Sequence, residues 1–312
     1  MELFKNRFLS SRKIGISISE SQDINRYGLG NMHLEDITVE MARYLLACGA
    51  IIAYGGNIKY SKTPNYTAIL SDVVKNYRTY YEDRDSVIIN YVAYPLYKNI
   101  TKDYEADLAR SIKFEKIDPT DHLEGLSIDI NPKDINDKDI HERFINAISL
   151  SLMRKRMNED IDARIILGGK ATGYSGTYPG LVEEAYLAIK AKKPVYLIGA
   201  YGGCANIIIH ALKGNTPEEL TEEYQFKNDK RYKPLYDYYN IQANNSGGLL
   251  EPICYKDIVE CFNNTVIDGL YTEINGLNNG LTEDENNQLF KSVDIPEIIR
   301  LILKGLQMKY CP

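Results

Sequence analysis

The chain has 312 residues, 44% hydrophobic and 26% charged, which excludes a disordered chain and fits one large or two modest globular domains. A formal charge of −6 leaves no whole-protein basic field to attract nucleic acid. No apolar run approaches the ~20 residues that span a bilayer, and Met1 to Arg7 lacks the apolar core of a signal peptide, so a cytoplasmic protein with no membrane or nucleic-acid partner is expected.

Lys13 to Ile18 reads as a first strand. Glu35 to Cys48 follows with apolar residues at Ile37, Met41, Leu45 and Cys48, a helical stripe that Gly49 ends. Ile51 to Tyr54 is a second strand, Tyr66 to Tyr77 a helix and Ser86 to Val92 a third strand. Asp118 to Asp139 turns to Asp, Asn, Pro and Lys and predicts a loop. Ile140 to Met157 is a long helix, Ala163 to Leu167 a fourth strand, Leu181 to Ala191 a helix and Val195 to Ile198 a fifth strand. From about Asn215 the strand pattern fades. Glu218 to Lys227, Tyr232 to Tyr239, Tyr255 to Phe262 and Ile295 to Leu306 look helical, with Asn/Gly-rich joints between. Near-continuous apolar strands alternating with helices predict an α/β, Rossmann-like doubly wound fold. Its mainly parallel sheet carries helices on both faces, and a helical C-terminal extension follows.

Most of the strands run into Gly or Ser clusters, and in open α/β sheets ligands bind outside the carboxyl ends of the strands. Ser19-Glu20-Ser21, after the first strand, reads either as a capped turn or as a holder of phosphate or ribose. Ala53-Tyr54-Gly55-Gly56-Asn57 follows the second strand, where paired glycines let a ligand approach the backbone. Met153-Arg154-Lys155-Arg156-Met157, at the end of the long helix, is either a cationic helix end or a phosphate clamp.

The segment from Leu167 to Glu184 holds five glycines and three hydroxyls (Thr172, Ser175, Thr177). Pro179 is placed as the first helical residue, and a helix start offers free N–H groups to an anion. Gly168, Gly169, Thr177, Tyr178 and Gly180 become candidate ligand contacts. Glu183 and Glu184 either balance the helix dipole or meet a ribose. Lys170 follows the second glycine too early for a P-loop. Gly199 to Ala205 repeats the strand–glycine–helix pattern, making Gly202 and Gly203 a candidate ligand wall. Cys204 there is either a thiol with lowered pKa or a small core residue. Five cysteines without a CxxC pair and four scattered histidines predict free thiols and no metal site. No bound cofactor is predicted.

Together these pieces resemble the SLOG superfamily, the Rossmann-like group that includes the LOG cytokinin-activating phosphoribohydrolases. Tyr54-Gly55-Gly56 resembles its YGGG-like turn, Arg154-Lys155 its RK-containing helix end, and Gly168-Gly169 through Glu184 its PGGxGTxxE loop. The likeness covers roughly residues 12 to 213. The runs Gly15 to Ser21, Ala53 to Gly56 and Tyr178 to Glu184 resemble more closely a prokaryotic branch associated with TIR proteins and anti-phage systems. The resemblance implies a nucleotide-binding domain over 1–214, and a 215–312 extension packed on it or used in oligomerisation. It also implies a homo-oligomer and a TIR-type signalling partner. Arg154 would match the catalytic arginine of the LOG enzymes and Glu184 the glutamate that ends their loop motif.

This sequence departs from the pattern at three points: Gly173 to Pro179 are inserted, Leu181 takes the threonine position, and Leu167 replaces the proline. The expectation is therefore a sensor of an NAD-derived or cyclic nucleotide in a defence system. The alternatives are a hydrolase of a nucleotide N-glycosidic bond and a scaffold whose glycine loops are relics.

Overall fold

Short runs rich in Ile, Leu and Val place six strands side by side, all parallel, in the order β4-β3-β2-β1-β5-β6. The strands are β1 (Lys13–Ser19), β2 (Ile51–Tyr54), β3 (Ile88–Ala93), β4 (Ile112–Ile117), β5 (Ala163–Gly168) and β6 (Val195–Ile198). The computed structural model describes residues 7–56, 65–81, 88–122, 138–264 and 275–311. Asn57, the first two residues of the expected third strand, and 123–137 of the expected loop lie outside the described residues.

The crossovers are α1 (Asn31–Ala47), α2 (Tyr66–Tyr81), α3 (Lys102–Leu108), α4 (Lys138–Asp160) and α5 (Gly180–Lys190), and α6 (Gly203–Leu212) leaves β6. Strand order reverses between β1 and β5, the switch point where such sheets open a crevice. Strand alternation then sorts side chains to two faces. Ile14, Ile16, Ile18, Ile165, Leu167, Tyr196 and Ile198 join an apolar core with α1 and α2. Ile166, Val195 and Leu197 join a second core with α4, α5 and α6.

Several expectations needed correction. β4 and α3 were not foreseen. β4 is an edge strand whose outer residues include Lys113 and Lys116, the charged dressing that keeps an edge from pairing further. The helix expected over Glu218 to Lys227 is two elements, a 3-10 turn at Glu218–Leu220 and then α7 (Glu222–Asn228). Thr221 divides them, because its hydroxyl accepts the Tyr224 N–H as an N-cap. Pro179 is the cap residue rather than the first helical one: its ψ of 127° is extended, and its carbonyl accepts the Glu183 N–H. The Arg154 cluster is not at a helix end, since α4 continues to Asp160.

The C-terminal elements are α8 (Tyr232–Asn245), α9 (Tyr255–Asn264), α10 (Glu283–Lys291, not foreseen) and α11 (Ile295–Tyr310). They share both cores with the sheet: Tyr232, Tyr255 and Phe262 belong to the α4–α6 core, and Leu289, Ile298 and Leu301 to the α1–α2 core. At the open edge of β6, the Asn279 side chain donates to the Val195 carbonyl at 2.9 Å, and Tyr196 donates back to the Asn279 carbonyl at 2.8 Å. No helix among the described residues is long and apolar enough to cross a membrane.

Candidate functional site

The predicted residues fall into three neighbouring groups. The first sits at the switch point. The Gly169 N–H donates to the Ser19 carbonyl at 2.9 Å, joining the ends of β1 and β5, and the Cys204 N–H donates to the Gly169 carbonyl at 3.1 Å. Gly168 has φ +67°, and a Cβ there would collide with the Ser19 carbonyl oxygen, so this crossing requires glycine. Ser21 donates to the Tyr201 carbonyl at 2.5 Å, and Glu20 accepts from Asn31 at 2.8 Å. The Gly203 N–H at the start of α6 is already taken by Asp23 at 2.8 Å, and Gly202 packs against the same carboxylate. A cleft of about 610 Å³ opens beside this group, lined by Glu20, Ser21, Asn31, His33 and Lys170 among others. Cys204 is fully buried and burial pushes its thiol up to about 12, so the core reading of this residue holds.

The second group centres on Arg154. Its guanidinium is buried, with Nη1 donating to Glu183 at 2.5 Å and Nε 3.7 Å from a Glu184 oxygen. A Cβ on Gly176 would stand 2.7 Å from Nη1, and one on Gly180 would stand 2.8 Å from Nη2. Both glycines are therefore fitted to the arginine. Gly55 packs against the adjacent Met153, at 3.2 Å from a would-be Cβ to its sulfur, and the Gly56 N–H donates to Asn90 at 3.3 Å. The turn after β5 thus closes on Arg154, and the turn after β2 packs on the neighbouring Met153 of the same helix.

Beneath them lies a residue the sequence reading passed over. Arg164, on β5, has no exposed surface. Its Nη1 donates to Glu184 at 2.6 Å and to the Ser17 hydroxyl at 2.8 Å, while Ser17 itself donates to the same Glu184 oxygen. Burial is the main influence on Arg164 and lowers its pKa, Glu184 opposes it, and Arg154 adds to the lowering. Its Nε and Nη2, like Arg154 Nε, have no hydrogen-bond partner among the described residues. The available signal was a lone arginine in a run of Ala, Ile and Leu, on the face that Ser17 shares.

The third group is the inserted loop and its anchors. Tyr174 and Tyr255 share a hydrogen bond of 2.5 Å, Tyr255 donates to Tyr232 at 3.3 Å, and Tyr232 donates to the Thr177 carbonyl at 2.5 Å. The Cys254 N–H donates to the Tyr178 hydroxyl at 2.7 Å, and Gln225 donates to the Ala171 carbonyl at 3.0 Å. Burial raises the pKa of Tyr174 and Tyr255 well above the usual phenol value, so the chain stays protonated. Thr177 and Ser151 hydroxyls lie 3.1 Å apart. Lys155, with Thr177, Tyr178 and the Arg154 partner Glu183, lines a cavity closed by residues 249–258.

The fold and this site define a Rossmann-like α/β protein in which glycine turns close around a buried arginine–glutamate cluster. Family comparison agrees with that class: the chain belongs to the SLOG cluster2 family, whose profile matches residues 8–289. A search of curated proteins finds no match.

Proposed function

We propose that the protein binds a nucleotide-derived ligand, of the NAD-derived or cyclic nucleotide type, and acts as a sensor in a prokaryotic defence system. The observation that carries this reading is the convergence on Arg154: Gly176 and Gly180 leave room for its guanidinium and Gly55 packs on its neighbour. A guanidinium matches phosphate oxygens in charge and fork geometry. At the switch point Glu20 and Ser21 line a cleft where a ribose or second phosphate fits, and Ser19, Gly168 and Gly169 form the joined turns behind it. SLOG membership supports a nucleotide-related ligand. Binding is favoured over turnover because one Glu184 oxygen is held by both Arg164 and Ser17, which suits a fixed charge better than a group that must move a proton. A homo-oligomer and a TIR-type signalling partner complete the proposal, with no nucleic acid or membrane involved.

The second reading, a hydrolase of a nucleotide N-glycosidic bond, draws on the proximity of Arg154 Nε to the other Glu184 oxygen, 3.7 Å away. There Glu184 stabilises positive charge developing on the ribose or orients a water, while Arg154 holds phosphate. Mass spectrometry of small molecules released from the denatured protein, with incubation against NAD, AMP and cyclic ADP-ribose isomers, separates the two. A retained nucleotide with no product supports the sensor. A released base supports the hydrolase, and then Glu184→Gln abolishes turnover while sparing binding. No retained or bound nucleotide removes both.

A further inference from the structure

The cavity behind the inserted loop has a volume of about 240 Å³ and lies between α4, α5 and residues 249–258. Tyr178 and Tyr239 supply aromatic wall, and Tyr186 lines the cavity with its ring under the Lys190 ammonium, 5.2 Å from the centroid. Glu183 lines it from a position only 5% exposed, already balanced by Arg154. Lys155 on α4 and Lys190 on α5 line it, the Lys190 ammonium donating to the Tyr186 hydroxyl at 3.2 Å, and Glu251 and Asp257 line it from the 249–258 segment. Both lysines and both of these carboxylates are exposed. A purely anionic ligand would meet as many repelling as attracting charges here.

We infer that this cavity is a subsite for a zwitterionic nucleotide of the pyridinium class, its cationic ring among the tyrosines and the carboxylates of Glu251 and Asp257, its phosphate at Lys155 and Lys190. A flat cation gains from aromatic faces as well as from the carboxylates, and charge-assisted bonds from lysine suit a phosphate. The volume falls below the ~300–1,000 Å³ of sites that enclose a whole drug-sized ligand, so it takes one ring with its sugar rather than a dinucleotide. The inference rests on the nucleotide reading above and narrows it, and it gives residues 249–258 a part in ligand choice.

The test uses the full chain with nicotinamide mononucleotide, AMP and ribose 5-phosphate in titration calorimetry. Alkylation of Cys254, which lines the cavity, is followed by peptide mass spectrometry with exposed Cys311 as the internal reference. The pyridinium nucleotide is expected to bind about tenfold more tightly than AMP, a difference of one decade in Kd, and to slow alkylation of Cys254 but not Cys311. The double variant Glu251→Gln/Asp257→Asn is expected to erase that preference, with ribose 5-phosphate and AMP binding no more weakly than before because two repelling charges are gone. Equal affinity for AMP, an unshielded Cys254 or an unaffected double variant overturns the subsite. If nucleotide binding then still depends on Arg154, the broader reading survives; if none of the three probes binds, the subsite falls while a retained NAD-derived or cyclic nucleotide would still uphold the broader reading.

Discussion

The two faces of the sheet are built on different terms. On β1 and β5 the side chains facing α1 and α2 are Ile14, Ile16, Ile18, Ile165 and Leu167, all buried and apolar. One residue along, the face toward α4 and α5 carries Ser17 and Arg164, equally buried and tied to Glu184. The first face gains by removing hydrocarbon from water. The second takes two arginines and two glutamates out of water, and a buried ion cluster seldom stabilises a fold as well as apolar packing of the same volume. Its place beside Gly176 and Gly180, which fit the Arg154 guanidinium, accords with the proposal that this face holds charge in place for a ligand.

Adjacent positions on β5 break or sharpen that comparison most directly. Arg164→Met strips the strongest donor from buried Glu184 and is expected to destabilise by about 3–5 kcal/mol, read as a lowered urea midpoint. Ile165→Val, pointing to the other face, is expected to cost about 0.5–1.5 kcal/mol. Adding Glu184→Leu to Arg164→Met should recover most of the loss, because no uncompensated carboxylate then remains. Two single variants of equal cost would erase the distinction between the faces.

Gly180→Ala probes the site rather than the fold. The added carbon would stand 2.8 Å from Arg154 Nη2 and displace the guanidinium. Nucleotide affinity should fall about tenfold, or roughly 1.4 kcal/mol, with a smaller drop in melting temperature than for Arg164→Met, because Arg164 still holds Glu184. Unaltered calorimetric affinity would take Arg154 out of the ligand's reach. A smaller effect is expected for Tyr174→Phe, which removes one link of the Tyr174–Tyr255–Tyr232 chain. A loss of about 1 kcal/mol, with faster proteolytic nicking within 168–180, would show that the C-terminal helices hold the inserted loop. Unchanged nicking would mean the loop is ordered by its own backbone.

What the sequence made legible follows from how each residue is stabilised. β5 and β6 were readable because strands buried on both faces are continuous apolar runs. β4 was not, since Lys113, Glu115 and Lys116 disguise a strand paired on one side only. α10 escaped because its buried side is little more than Asn286, Leu289 and Phe290. Within the site, Arg154 stood out in a cationic run and Glu183 and Glu184 at a helix start. The SLOG resemblance linked Arg154 with Glu184, and the structure brings all three together. Arg164 was hidden by the strand that contains it, since its partners Ser17 and Glu184 are remote in sequence. The cavity wall at 249–258 comes from packing of α8 and α9 on α4 and α5, which no local pattern encodes.

The smallest expected effect lies at the base of the charged face, where α4 ends. Asp160 sits in the last turn, where the helix dipole disfavours an anion. Burial also pushes its pKa up, yet the hydrogen bonds from Tyr91 and Lys13, with Arg156 nearby, outweigh both and hold it below the ordinary 3.8. A carboxyl depressed in the folded state adds stability that is fully present above the unfolded value and is lost as pH falls through the folded one. Asp160→Asn should therefore cost about 0.5–1 kcal/mol at neutral pH, the modest size expected of a partly exposed pair. The deficit should close as the medium is acidified below 3.8 and on through the depressed folded value. A deficit independent of pH would assign the loss to packing against Tyr91, and would leave the Arg164 cluster as the charged face's one electrostatic dependence among the variants proposed.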